Sequence, residues 1–160
     1  MARDIPEQYG YLVAIGGAED KEAESAILAR VFELAPGGLD EIVVIAAASG
    51  VPDEVLPVYE EVFTRLGATA VHTLGVRDRR EAADEDAVAA IERSGVVFFT
   101  GGDQLRLTNV LGGSPLLEAV RAHYARGGVI AGTSAGAVAQ STTMIYNGGA
   151  ADALHKGAVK

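Results

Sequence analysis

Five short apolar runs recur along this chain with helical patterning between them, and that alternation constrains the fold more than any other feature. The runs are Tyr11-Leu12-Val13-Ala14-Ile15, Ile42-Val43-Val44-Ile45-Ala46, Ala70-Val71-His72-Thr73-Leu74, Val96-Val97-Phe98-Phe99 and Val129-Ile130-Ala131. Each is short enough for a strand, and continuous apolar character points to burial on both faces. Residues 21–34 carry Ala23, Ile27, Val31 and Leu34 at helical spacing. Residues 51–66 form a second expected helix, with Pro52 and Asp53 where a helix start accepts them. Residues 83–91 read as an acidic helix, residues 104–111 and 116–126 as a pair split by Gly112-Gly113-Ser114-Pro115, and a last helix is expected from Ala135 onward. Strands and helices in alternation mean βαβ units, so the expected fold is α/β: a three-layer sandwich with a mostly parallel sheet.

A chain of 160 residues is long enough to bury a core, and it reads as a single α/β domain over residues 1–160. There is no cysteine, which excludes disulfides, thiolate metal sites and a cysteine nucleophile together. The net charge of −9 argues against a nucleic-acid partner, which wants a basic stripe. Its acids, at Glu19-Asp20, Asp53-Glu54, Glu60-Glu61 and residues 81–86, read as helix starts and solvated faces. No apolar run approaches the roughly 20 residues that cross a bilayer, and residues 1–8 lack the pattern of a signal peptide. The expectation is a cytoplasmic protein with no membrane partner.

In parallel sheets, functional residues gather beyond the carboxyl ends of the strands. Three such ends are marked. The strongest is Gly132-Thr133-Ser134-Ala135-Gly136, a serine between glycines where a strand passes into a helix. Small neighbours allow the sharp turn of a nucleophile elbow, which lifts the Ser134 hydroxyl clear of the sheet and aims the Ala135 N–H at a developing oxyanion. The second is Gly101-Gly102-Asp103-Gln104, where two glycines allow a close backbone approach. The Gly102 and Asp103 region could complete an oxyanion hole and Gln104 could anchor a substrate carboxylate or amide; equally, Asp103 could simply cap the following helix. The third, Glu19-Asp20, is read as a cap pair. Neither glycine pair has the G-x-G-x-x-G spacing of a dinucleotide site, so no cofactor and no metal is expected. Beyond Thr142 the pattern fades, and Asn147-Gly148-Gly149-Ala150-Ala151 reads as a loop.

Four words of the sequence carry a resemblance. They are Ile15-Gly16-Gly17-Ala18-Glu19-Asp20-Lys21, Val76-Arg77-Asp78-Arg79, Phe98-Phe99-Thr100-Gly101-Gly102-Asp103-Gln104-Leu105-Arg106-Leu107 and Ala131-Gly132-Thr133-Ser134-Ala135-Gly136-Ala137. Long and in order, they resemble the serine peptidase family of the cyanophycinases and aspartyl dipeptidases. The resemblance implies a class I glutamine-amidotransferase-like (flavodoxin-like) sandwich and Ser134 as nucleophile. It implies Ala135 with Gly102 and Asp103 as oxyanion donors, and Gln104 at the pocket for an aspartyl unit. The implied substrate is cyanophycin, an aspartate backbone carrying arginine on each β-carboxyl and cut to β-Asp-Arg dipeptides; the implied assembly is a homodimer.

One departure stands out. A serine nucleophile needs a base, and in the family that histidine lies in an Asp-Gln-His-Phe motif that this sequence lacks. His72 falls in a strand, His123 in a helix and His155 in the polar segment 152–160. The sequence therefore leads one to expect an incomplete domain, with its catalytic continuation and some sheet strands beyond Lys160. The alternatives are an aspartyl dipeptidase acting on short aspartyl peptides, and a non-catalytic binding or dimerisation domain.

Overall fold

The computed structural model describes residues 9–144. Its strands are β1 (Leu12–Ile15), β2 (Glu41–Ile45), β3 (Ala70–Leu74), β4 (Val96–Phe99) and β5 (Val129–Thr133). Its helices are α1 (Ala26–Glu33), α2 (Pro52–Arg65), α3 (Glu85–Arg93), α4 (Gln104–Leu111), α5 (Pro115–Ala125) and the short α6 (Ala135–Val138), with a 3-10 turn at Glu81–Ala83. The strands pair in the order β1-β5-β4-β2-β3, and each pairing is parallel. Strands β2 to β5 thus run 3-2-4-5 across the sheet, the flavodoxin-like order. Strand β5 lies between β1 and β4, with Thr133 opposite Ile15 and Gly132 opposite Phe99.

Alternate residues of the strands serve two cores, which is what makes the fold a three-layer sandwich. Ile42, Val44, Val96, Phe98 and Val129 pack with Leu28, Val31, Tyr59 and Phe63 beneath α1 and α2. Val43, Ile45, Val97, Phe99 and Ile130 pack with Ile91, Leu111 and Leu116 beneath α3, α4 and α5. Asp84 caps α3 through the Ala87 N–H, and Ser114 caps α5 through the Leu117 N–H.

Two expectations need correction. Among the described residues strand β1 is an edge rather than a buried strand: Leu12 is 52% exposed, because β1 pairs there with β5 alone. Helix α1 begins at Ala26 rather than near residue 21, because the Asp20 carboxylate takes the N–H groups of Glu22, Ala23 and Ser25 and holds them in a loop. Among the described residues, no helix is long and apolar enough to cross a membrane.

Candidate active site

Ser134 sits between the end of β5 and the start of α6 with φ 52° and ψ −113°, a left-handed setting that a residue with a side chain seldom adopts. Its N–H donates to the Ile15 carbonyl at 2.9 Å, which ties the turn to the end of β1. The residue itself is exposed, while Ala135 behind it is buried. As the first residue of α6, Ala135 has an N–H with no intrahelical acceptor, and no other described carbonyl takes it. Two glycines flank the serine. A Cβ on Gly17, itself at φ 104°, would lie 3.6 Å from the Ser134 Cβ, and one on Gly101 would lie 3.4 Å from it.

The turn after β4 brings Gly101 and Gly102 to the same place. Gly102 has φ 141°, and a side chain there would strike the carbonyl of Ala48 in the turn after β2. That carbonyl accepts the Asp103 N–H at 2.9 Å, and the Arg106 guanidinium donates to the neighbouring Ser49 carbonyl at 3.0 Å. The Asp103 carboxylate caps α4, accepting from the N–H groups of Leu105 at 2.8 Å and Arg106 at 3.3 Å. Both polar groups of Asp103 are therefore engaged in shaping the turn, and of the pair Gly102-Asp103 it is Gly102 whose N–H no described acceptor takes. Gln104 opens α4 beside this turn and is half-buried.

Sequence reasoning missed Glu19. Asp20 caps no helix: its backbone partners, Ala23 foremost, shape the loop ahead of α1 and bring its carboxyl down to about 2. Glu19 is no cap either. Its side chain is buried under the serine turn, where Oε2 accepts the Thr133 hydroxyl at 2.6 Å and Oε1 accepts the Tyr59 hydroxyl at 2.5 Å. The Lys21 ammonium lies 3.0 Å from Oε1 and 5.1 Å from the centre of the Tyr59 ring. Burial pushes the Glu19 carboxyl up, but the hydrogen bonds from Thr133, Tyr59 and Lys21 outweigh it and hold the group below the ordinary range. Burial and the Glu19 charge together push the Tyr59 phenol up, so it remains a donor. Glu19, Lys21, Tyr59, Gly101, Thr133 and Ser134 share the lining of a pocket of about 450 Å3, a ligand-sized volume.

Neither described histidine attends this pocket. His72 belongs to β3, at the far edge of the sheet, and meets Glu41 at 2.8 Å. His123 is buried below Gly128, at the opposite end of β5 from Ser134, and its Nε2 finds no partner among the described residues. His155 and the loop 147–151 lie outside the described residues. The word Val76-Arg77-Asp78-Arg79 is structural: Arg79 binds the Asn109 and Gly112 carbonyls at the end of α4, and Asp78 caps the 3-10 turn. Among the described residues no group of His, Asp or Glu is placed to hold a metal ion.

The chain belongs to peptidase family S51, whose family model matches residues 12–156. A cyanophycinase of Synechococcus elongatus is 40% identical over 152 residues, covering 94% of this chain and 47% of that protein. A cyanophycinase of Geminocystis herdmanii is 38% identical over 150 residues, covering 92% of this chain and 55% of that one. The chain spans about half the length of the curated relatives it matches. The crystal structure of a peptidase from an acI-B1 actinobacterium superposes with a TM-score of 0.76 at 26% identity, over 86% of this chain and 59% of that one.

Proposed function

We propose that this protein is a cyanophycinase-type serine exopeptidase, with Ser134 as its nucleophile. The observation that carries the reading is the setting of Ser134, held at positive φ where β5 meets α6 with the N–H groups of Ala135 and Gly102 left over beside it. This is the geometry a nucleophile elbow requires. The Ser134 oxygen attacks the carbonyl of the scissile peptide bond, and the two N–H groups take the negative charge that forms on the carbonyl oxygen. Collapse expels the amine and leaves an acyl-serine, which water then cleaves. In this reading Asp103 acts through the turn it shapes, and Gln104 holds the aspartyl unit.

The proton of Ser134 needs an acceptor. The proposed one is a histidine from that part of the relatives' length which this chain does not span, which takes the serine proton and passes it to the departing amine. The proposed substrate is cyanophycin, released as β-Asp-Arg, and the proposed setting is a cytoplasmic homodimer; the 37–40% identity to cyanophycinases supports the substrate. The test uses the product of the complete gene, assayed on cyanophycin and on Asp-X dipeptides. Cyanophycin is expected to be the better substrate, and Ser134→Ala is expected to lower the rate roughly a thousandfold or more. Preference for short α-linked dipeptides would move the protein to the aspartyl dipeptidases, and an unchanged Ser134→Ala rate would end the nucleophile assignment.

A further inference from the structure

Among the described residues Glu19 is the only acidic side chain that is buried. A carboxylate taken out of water is unfavourable unless its lone pairs are filled, and a chain that merely needed packing there would be better served by an apolar residue. Here the oxygens are filled from three separate elements. Tyr59 comes from α2, Lys21 from the loop after β1 and Thr133 from the last position of β5. Thr133 is bonded directly to the residue whose backbone is strained. Positive φ at a residue with a side chain persists only where the surroundings over-determine it. Two of those determinants are visible: the Ser134 N–H on the Ile15 carbonyl, and the Thr133 hydroxyl on Glu19. The first fixes the backbone after Thr133, and the second fixes the side chain before Ser134.

The geometry points to Glu19 as a positioning residue for the nucleophile: gripped by Tyr59 and Lys21, its carboxylate holds the Thr133 side chain and so sets the angle at which β5 presents Ser134 to the pocket. This rests on the reading of Ser134 as nucleophile. A purely structural Glu19 would tie α2 to the loop after β1 and leave the rate per folded molecule unchanged. A positioning Glu19 controls the rate through Thr133. Misplacing a reacting oxygen by a fraction of an ångström to an ångström lowers turnover without weakening substrate binding.

The experiment compares Thr133→Val, Thr133→Ser, Glu19→Gln and Ser134→Ala in the product of the complete gene, with kcat and KM on cyanophycin and the Tm of each. Valine keeps the shape of threonine and removes the hydroxyl; serine keeps the hydroxyl. Thr133→Val is expected to lower kcat about tenfold to a hundredfold with KM changed by no more than about twofold, and Glu19→Gln to do the same. Thr133→Ser is expected to restore at least about half of the parent kcat, tracking the retained hydroxyl rather than the lost methyl group. Thr133→Val with parent kcat, a rise in KM alone, a loss that serine does not restore, or a folded Glu19→Gln with parent kcat overturns the proposal. The two claims separate cleanly: an active Ser134→Ala removes the nucleophile reading and this proposal together, whereas an inactive Ser134→Ala beside a fully active Thr133→Val removes this proposal alone.

Discussion

Gly101 faces Ser134 so closely that a methyl group in place of its hydrogen would stand 3.4 Å from the serine Cβ and 3.9 Å from its Oγ. Those are ordinary contact distances, so the fold can accept the methyl, but it would occupy space that the proposed nucleophile and its substrate need. The next residue is different in kind. At Gly102 a side chain would meet the Ala48 carbonyl, and the backbone stands at φ 141°. Gly101→Ala is therefore expected to keep its Tm within about 3 °C while losing activity roughly tenfold or more. Gly102→Ala is expected to lose about 3 kcal/mol of stability by urea unfolding. Equal stability losses in the two variants would contradict this division of labour.

The strain at Ser134 has a thermodynamic signature. A left-handed residue with a Cβ costs about 1–3 kcal/mol, whereas glycine adopts that region freely. Against that relief, glycine gains freedom in the unfolded chain, worth about 0.4–1 kcal/mol. Ser134→Gly is therefore expected to be the more stable protein by about 1 kcal/mol, seen as a rise of about 2–4 °C in Tm. Ser134→Ala keeps the strain and should melt with the parent. A Ser134→Gly protein that melts below Ser134→Ala would mean that the turn is not strained at φ 52°.

Much of the fold can be read in the sequence because it is written locally. The run Val96-Val97-Phe98-Phe99 is a strand buried on both faces, and Gln104–Leu111 is a helix with its cap at Asp103, because each signal lies within a few residues of what it specifies. Strand order is not local, so nothing in Tyr11-Leu12-Val13 distinguishes an edge strand from a central one. Glu19 shows the same limit at the site. In sequence it is half of an acidic pair that suggests a helix cap, and its neighbour Asp20 binds only the local backbone of the loop before α1. Besides Lys21 nearby, the partners of Glu19 are Tyr59, 40 residues on, and Thr133, 114 residues on. Only the folded sheet brings those together. The strand-to-helix turn that carries Ser134 is legible because strand, small residues and helix adjoin in one short word.

Two buried groups set the first losses of stability toward acid, and the exposed carboxyls of Asp20 and Asp78, both held below 3.8, add to the fall at lower pH. Burial, with repulsion from Arg126 second, holds His123 below the ordinary imidazole value of 6.5, so it stays neutral in the fold while the unfolded chain takes up a proton. Its contribution is complete above pH 6.5 and declines as pH falls below it. Glu19 is depressed from 4.5, so its contribution is complete above that value and is lost as pH falls through the lower folded one. Urea unfolding is expected to show a plateau above neutrality, then a slope of at most about 1.4 kcal/mol per pH unit below 6.5, and a steeper fall below 4.5. His123→Leu should flatten the first step and leave the second. A first step that survives in His123→Leu would assign it to another group.

Tyr59 offers the sharpest thermodynamic test of the buried network, because its ring and its hydroxyl do separate things. The ring packs at a tilt against Phe98, with centroids 5.0 Å apart, and Tyr59→Phe leaves that packing in place. What it removes is the donor on Glu19 Oε1, leaving Lys21 as the remaining partner of that oxygen. A buried charge that loses a donor costs about 1–3 kcal/mol, and the carboxyl should rise toward its ordinary range, moving the acid transition to higher pH. The same substitution made on a Glu19→Gln background removes a donor from a neutral amide, where the loss is smaller. The double variant should therefore be more stable than the sum of the single losses predicts, with a coupling of about 1–2 kcal/mol by urea unfolding. Additivity within about 0.3 kcal/mol would mean that Tyr59 and Glu19 stand in contact without depending on one another, and that the charge beneath Ser134 is held by Thr133 and Lys21 alone.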